Sequence, residues 1–142
     1  GDPRWDSDEL WTTMGHLYKG GMWFKKKSEL IAEGHYNTEK SADNTTDLRT
    51  WMKVYNNTNS SINNSGLPSA ADASNYFYLP TIGVYDTLGE LYGIGSMGVY
   101  WSSSADPTLS NMHAIYLRFS SGQVFLADTP RNGGLYTGAK FE

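Results

Sequence analysis

The residues best suited to chemistry gather near the C-terminus, between Asp106 and Asn132. Asp106, Thr108, Leu109, Asn111, Met112 and His113 fall in a polar stretch that reads as a loop. Tyr116, Arg118, Gln123, Phe125 and Ala127 take the outward positions of a strand pair, and Asp128, Thr129, Pro130 and Asn132 follow as a second loop. Aromatic rings, a guanidinium and amides on one surface suit binding: Tyr, Phe and Arg give contact area at modest entropic cost, and Asn, Thr and Asp adapt their hydrogen bonds. The competing reading is that Tyr116 and Phe125 cover a second core layer, because a small domain can bury both faces of a sheet.

Catalytic chemistry finds less support. The chain has no cysteine, which removes disulfides, thiolate metal sites and cysteine nucleophiles together. His16, His35 and His113 are scattered without an i,i+4 pair, so no zinc spacing is present and no metal or cofactor is expected. Ser102, Ser103 and Ser104 lie outside any G-x-S-x-G elbow. Asp86, Glu90, Asp106 and Asp128 include enough carboxyl groups for a glycosidase pair, but any acidic chain offers such pairs. Gly93-Ile94-Gly95-Ser96-Met97-Gly98 spells a dinucleotide fingerprint, yet Val99-Tyr100-Trp101 continues as a strand. Without a following helix the amides and dipole that hold a pyrophosphate are missing, so a glycine-rich turn is expected.

Length and composition fit one domain over residues 1–142, folded around aromatic residues: hydrophobic content is 39%, charged content 18%, and the net charge is −4. That balance lacks the Lys/Arg surplus a nucleic-acid binder needs, and Lys25-Lys26-Lys27 reads as a solvated face. No apolar run approaches the ~20 residues of a membrane helix, and no signal-like sequence opens the chain. A segment that is soluble as written and does not insert in a membrane is therefore expected. Asn56 to Ser65 reads as a surface loop; with Asn44-Thr45-Thr46 it contains matches to glycosylation acceptors of the kind that polar loops produce by chance.

The elements that must position the candidate face follow from local patterns. Asp6-Ser7-Asp8-Glu9 has capping-box spacing, which predicts a short helix carrying Leu10, Trp11 and Met14 and stopped by Gly15. Gly20-Gly21 reads as a turn into a strand at Met22-Trp23-Phe24, and Ser28 to Glu33 as either one helical turn closed by Gly34 or an extended segment. Thr45 to Asn56, capped by Asp43 or Asn44, places Leu48, Trp51, Met52 and Tyr55 on one helical face. Leu67 to Asp72 reads as a brief turn, Tyr76 to Leu79 as a strand ended by Pro80, and Gly83-Val84-Tyr85 with Glu90-Leu91-Tyr92 as a hairpin. Val99-Tyr100-Trp101 is a strand. Ile115, Leu117 and Phe119 alternate with Tyr116 and Arg118, and Ser120-Ser121-Gly122 turns the chain into Gln123 to Ala127, with Val124 and Leu126 inward. Helices in the first half and strands in the second predict an α+β domain with antiparallel pairing. Its expected core is Trp51, Tyr76, Trp101, Leu117 and Phe119.

Several of these residues recur in a known order: Tyr76-Phe77-Tyr78-Leu79-Pro80, Gly98-Val99-Tyr100-Trp101-Ser102-Ser103-Ser104-Ala105, Ala114 with Leu117 and Phe119, Ser121-Gly122, and Arg131 with Gly134. The order resembles the C-terminal domain of fimbrillin-like and major-paralogous-domain surface proteins of bacteria, within the C-type-lectin-like and formylglycine-generating-enzyme-like superfamily. It is also similar to retroelement-diversified variable proteins, which display substituted residues from this hairpin. The resemblance implies a C-type-lectin-like fold of two helices with small antiparallel sheets and long loops. The long loop region would carry ligand contacts, and the positions that vary in the diversified proteins correspond to Asp106, Thr108, Leu109, Asn111, His113, Tyr116, Arg118, Phe125 and their loop neighbours. The enzyme branch works through cysteine, which this chain lacks. The tripeptides of calcium-dependent sugar binders are replaced by Ala105-Asp106-Pro107 and Trp101-Ser102-Ser103, which are short of hard oxygen ligands.

Residues and resemblance together lead to the expectation of a non-catalytic ligand-binding or adhesion domain of a bacterial surface or pilus protein. It would lie at the cell surface or outside the cell and recognise a protein or glycan through the hairpin face, with no nucleic acid as partner. The alternative is a structural pilus or fimbrial subunit that uses the same face for assembly.

Overall fold

A computed structural model describes residues 1–34, 62–86, 88–105 and 112–132, with the backbone alone at 103–105 and 125. The described elements are β1 (Arg4–Thr13), β2 (His16–Lys25), α1 (Lys27–Ala32), β3 (Tyr76–Pro80), β4 (Val84–Tyr85), β5 (Leu91–Tyr92), β6 (Met97–Ala105), β7 (His113–Ser120) and β8 (Gln123–Pro130), with a 3-10 turn at Ala73–Asn75. The strands form antiparallel sheets in the orders β1-β2-β3, β4-β5 and β6-β7-β8. The expected α+β fold with two helices is thereby overturned: the described residues are mostly β-sheet, 54% strand and 11% helical, with one short α-helix among them. The helix expected at Thr45 to Asn56 lies outside the described residues.

The largest correction is at the start of the chain. Asp6 does what a capping residue does, since its Oδ1 accepts the backbone N–H of Asp8 at 2.9 Å and of Glu9 at 3.0 Å. Those bonds close a bulge in β1, where the register with β2 breaks between Asp6 and Leu10, and no helix follows. Local side-chain capping is common to helix starts and to turns, so the motif alone does not choose between them. Pairing with β2 decides it: Trp5 lies opposite Met22 and Trp11 opposite Tyr18. Gly15, expected to end a helix, instead completes a two-residue hairpin turn with Met14.

Gly20 and Gly21 are not a turn but the middle of β2. Gly20 adopts a φ of 97°, and its carbonyl accepts three hydrogen bonds, from Trp11 Nε1 at 2.8 Å, Thr81 N at 3.1 Å and Thr81 Oγ1 at 2.9 Å. At Gly21 a Cβ would overlap the hydroxyl end of the Tyr78 ring on the neighbouring strand, which explains the absence of a side chain there. Downstream the local reading holds. α1 ends with Gly34 at a φ of 74° donating to the Ile31 carbonyl, β3 runs to Pro80, and β4 and β5 pair as a hairpin.

The core lies between the two three-stranded sheets. Met22, Phe24 and Leu79 from one meet Tyr100 and Phe119 from the other, with Trp5, Phe77, Leu117 and Val124 packed around them. Phe119 stands edge-on to Phe24 at 5.6 Å and stacks on Tyr100 at 6.0 Å. The Tyr100 hydroxyl donates to the Pro80 carbonyl at 2.6 Å, so the ring's polar end is satisfied where the sheets meet. This core differs from the expected one. Tyr100 rather than Trp101 is buried between the sheets, Trp101 is half-buried on the other face, and Tyr76 is buried outside the cluster; Trp51 lies outside the described residues.

Candidate functional site

The candidate face is built by β6, β7 and β8, whose register divides its residues between two sides. Leu117 lies opposite both Tyr100 and Leu126, and Phe119 opposite Gly98 and Val124, so these positions form the core side. Gly98 is where Phe119 sits: a Cβ there would overlap its ring. The other side carries the positions of Val99, Trp101, Tyr116, Arg118, Gln123, Phe125, Ala127 and Thr129.

On that second side Tyr116 and Arg118 occupy successive outward positions of the central strand and are half-buried. Trp101 pairs with Tyr116 in register and meets its ring edge-on, at 6.5 Å and 87° between planes. Phe125 takes the register position opposite Arg118, and Gln123 the one opposite Ser120. Ala127 lies opposite Tyr116 and is buried, 5% exposed. Val99 and Met97 on the same side are also buried. The sheet is thus covered in part on both faces, which gives the second-core-layer reading substance at Val99, Met97 and Ala127 and leaves Tyr116, Arg118, Gln123 and Thr129 at intermediate exposure.

His113, Asp128, Thr129 and Pro130, expected in the loops, lie inside strands, with His113 and Asp128 on the core side of the sheet. His113 Nδ1 meets Asp128 Oδ2 at 2.8 Å; the Asp128 side chain is 8% exposed, and its Oδ1 is buried with no hydrogen-bond partner among the described residues. Arg131 closes this end, donating its Nε to the His113 carbonyl at 3.1 Å and its backbone N–H to the Met112 carbonyl at 2.9 Å. Met112 and Asn132 are exposed beside it. Asp106, Thr108, Leu109 and Asn111 lie outside the described residues. The structure therefore brings Tyr116, Arg118, Gln123 and Thr129 to one side, and sends His113 and Asp128 to the other.

The remaining motifs resolve into structural roles. Asp86 Oδ1 accepts the N–H groups of Leu88 and Glu90 at 2.8 Å, so that carboxylate holds the β4–β5 turn. Gly93 to Ser96 form a turn with Gly93 and Gly95 at positive φ, and strand β6 follows directly. Among the described residues no group of three or more His, Asp or Glu is placed to hold a metal ion.

Perturbed titrating groups gather on the outer face of β1-β2-β3, far in sequence from the predicted site. Burial would raise the Asp2 carboxyl, but hydrogen bonds from the Tyr76 hydroxyl, Arg4 and the Asn63 amide, with the Arg4 charge, outweigh it and lower its pKa to about 2. Arg4 and Lys25 both lie over the Tyr76 ring, at 5.8 and 5.7 Å. Burial, then the charges of Asp6 and Glu9, push the Tyr78 hydroxyl well above its usual range. These contacts tie the first residues to β3 and to the segment around Asn63. The second feature that sequence reasoning missed is the exposed apolar end of the β1–β2 hairpin, with Leu10, Met14 and Leu17 each more than 60% exposed. Its signal was present as an uncharged run from Leu10 to Tyr18, which the helix expectation concealed.

Comparison with family models, curated proteins and solved structures finds no match to this chain.

Proposed function

We propose that the chain is a non-catalytic ligand-binding domain of a bacterial surface or pilus protein, which recognises a protein or glycan through the outer side of β7 and β8. The observation that supports this most is the placement of Tyr116 and Arg118. They are consecutive outward residues of a central strand, half-exposed, with the Tyr116 ring braced edge-on by Trp101. An aromatic and a guanidinium fixed on a paired strand give contact area with little ordering cost on binding. Placement at the cell surface rests on the resemblance of the Tyr-Trp-Ser-Ser run and the strand after it to fimbrillin-like proteins.

The test is a screen of the purified chain against glycan and protein arrays beside a Tyr116→Ser/Arg118→Ser variant. Binding lost at an unchanged melting temperature supports the reading. Binding that persists in the folded variant removes it.

A second reading is assembly. β8 is the outer strand of its sheet and pairs, among the described residues, with β7 alone. Such an edge accepts a strand from a neighbouring copy in a fibre. Polymerisation that rises with concentration would favour this reading; a monomer at high concentration would remove it.

A further inference from the structure

Five methionines hold all the sulfur of this chain, which has no cysteine, so a sulfur-based reaction with an oxidant falls on a thioether. Burial separates them. Met22 is fully buried in the core and Met97 is 8% exposed, whereas Met14 and Met112 are 61% and 71% exposed; Met52 lies outside the described residues. A small oxidant reaches an exposed thioether directly and a packed one only when the fold opens.

Met14 is set apart by what its sulfur meets. It opens the β1–β2 turn between Thr13 and His16 at a φ of 48°, with Gly15 following at 76°. Positive φ at both central residues is the type I′ geometry, whose first position favours Asn, Asp or Gly, so methionine stands there at a conformational cost. The turn brings Met14 Sδ to 3.9 Å from the Tyr85 hydroxyl, which donates to it from the β4–β5 hairpin. Thioether sulfur is a weak acceptor, and both partners are exposed, so this contact joins the two hairpins only loosely.

Oxidation changes the acceptor. A hydroperoxide transfers its terminal oxygen to the sulfur: the S–O bond forms as the O–O bond breaks, sulfur gives up two electrons, and the peroxide is reduced. The proton of the transferred group passes to the leaving oxygen, which departs as water or an alcohol. The new oxygen extends from sulfur by one bond, which carries a 3.9 Å sulfur contact into the O–H···O range of about 2.7–2.8 Å. A weak S acceptor is thus replaced by a polar oxygen within reach of the same hydroxyl.

We propose that Met14 is a reversible oxidation site, at which a hydroperoxide makes a sulfoxide that accepts the Tyr85 O–H and fastens the β1–β2 tip to the β4–β5 hairpin. Methionine sulfoxide reductases reverse the step. The site is separate from the β7–β8 face and does not depend on the function proposed for it.

The test is treatment of the full chain with dilute hydrogen peroxide, followed by mass mapping of each methionine and by hydrogen exchange at the Asp86 N–H. That group donates to the Glu90 carbonyl at 2.9 Å across the β4–β5 turn. Met14 should convert about tenfold faster than Met22 and Met97. Exchange at Asp86 should then slow about three- to tenfold, the equivalent of one neutral hydrogen bond, and reductase treatment should restore the original rate. Tyr85→Phe keeps the ring without the donor, and Met14→Leu keeps an apolar side chain without the sulfur. In both, peroxide should leave this exchange unchanged while Met112 converts as before. Met14→Gln supplies a carbonyl acceptor and should slow exchange without peroxide. A Met14 that resists peroxide while Met112 converts, exchange that does not slow after Met14 converts, or equal slowing in Tyr85→Phe would overturn the proposal.

Discussion

Trp23 donates its indole N–H to Asp6 Oδ2 at 3.0 Å across the β1–β2 pair, while Asp6 Oδ1 holds the N–H groups of Asp8 and Glu9. One carboxylate, 5% exposed, thus satisfies three donors and sets both the bulge in β1 and the position of Trp23. Asp6→Ala should destabilise the chain by roughly 1–3 kcal/mol, because three part-buried donors lose one buried acceptor together. Chemical denaturation checks this. A loss under about 0.5 kcal/mol would mean that water replaces the carboxylate freely.

Asp2 makes stability depend on pH in acid. Its folded pKa, about 2, lies below the ordinary 3.8. A depressed carboxyl adds stability that is complete above its unfolded pKa and is lost as pH falls through the folded one. The window is therefore about pH 4 down to pH 2, and the contribution is on the order of 2 kcal/mol. Burial alone would raise Asp6, but the hydrogen bonds from Trp23, Asp8 and Glu9 prevail and lower it, so it adds in the same direction. Urea midpoints from pH 7 to pH 2 should fall steeply below pH 4, and Asp2→Asn should flatten that fall in part.

Phe119 and Trp101 should separate core from outer face. Phe119 is fully buried between the sheets, whereas Trp101 is half-buried beside Tyr116. Phe119→Ala should cost about 3–5 kcal/mol and Trp101→Ala less. Gly98→Ala should behave like a core variant, because its methyl group would displace the Phe119 ring. Equal melting losses for Phe119→Ala and Trp101→Ala would reverse this assignment.

Short-range signals carried far in this chain. Turn chemistry at Asp86 to Gly89, the glycine turn from Gly93, the strand at Tyr76 to Pro80 and the alternation of Ile115, Leu117 and Phe119 were all legible. Each depends on bonds and sterics within a few residues. Alternation also assigned Tyr116 and Arg118 to the side away from Phe119. It says nothing of where β8 ends, and Asp128, which the sequence places in a loop, continues the strand on the core side beside His113.

By itself, then, the amino-acid order determined the turns at Asp86, Gly93 and Ser121 and which residues share a face of β7. Only the tertiary structure decided that Asp6 closes a bulge and not a helix, that Tyr100 rather than Trp101 enters the core, and that Ala127 is covered. The physical reason is range. A capping carboxylate makes the same bonds in either local conformation, and a period of two defines two faces without ranking them. The ranking comes from distant partners: Met22 and Trp23 across from β1, and Phe24 and Leu79 against Phe119.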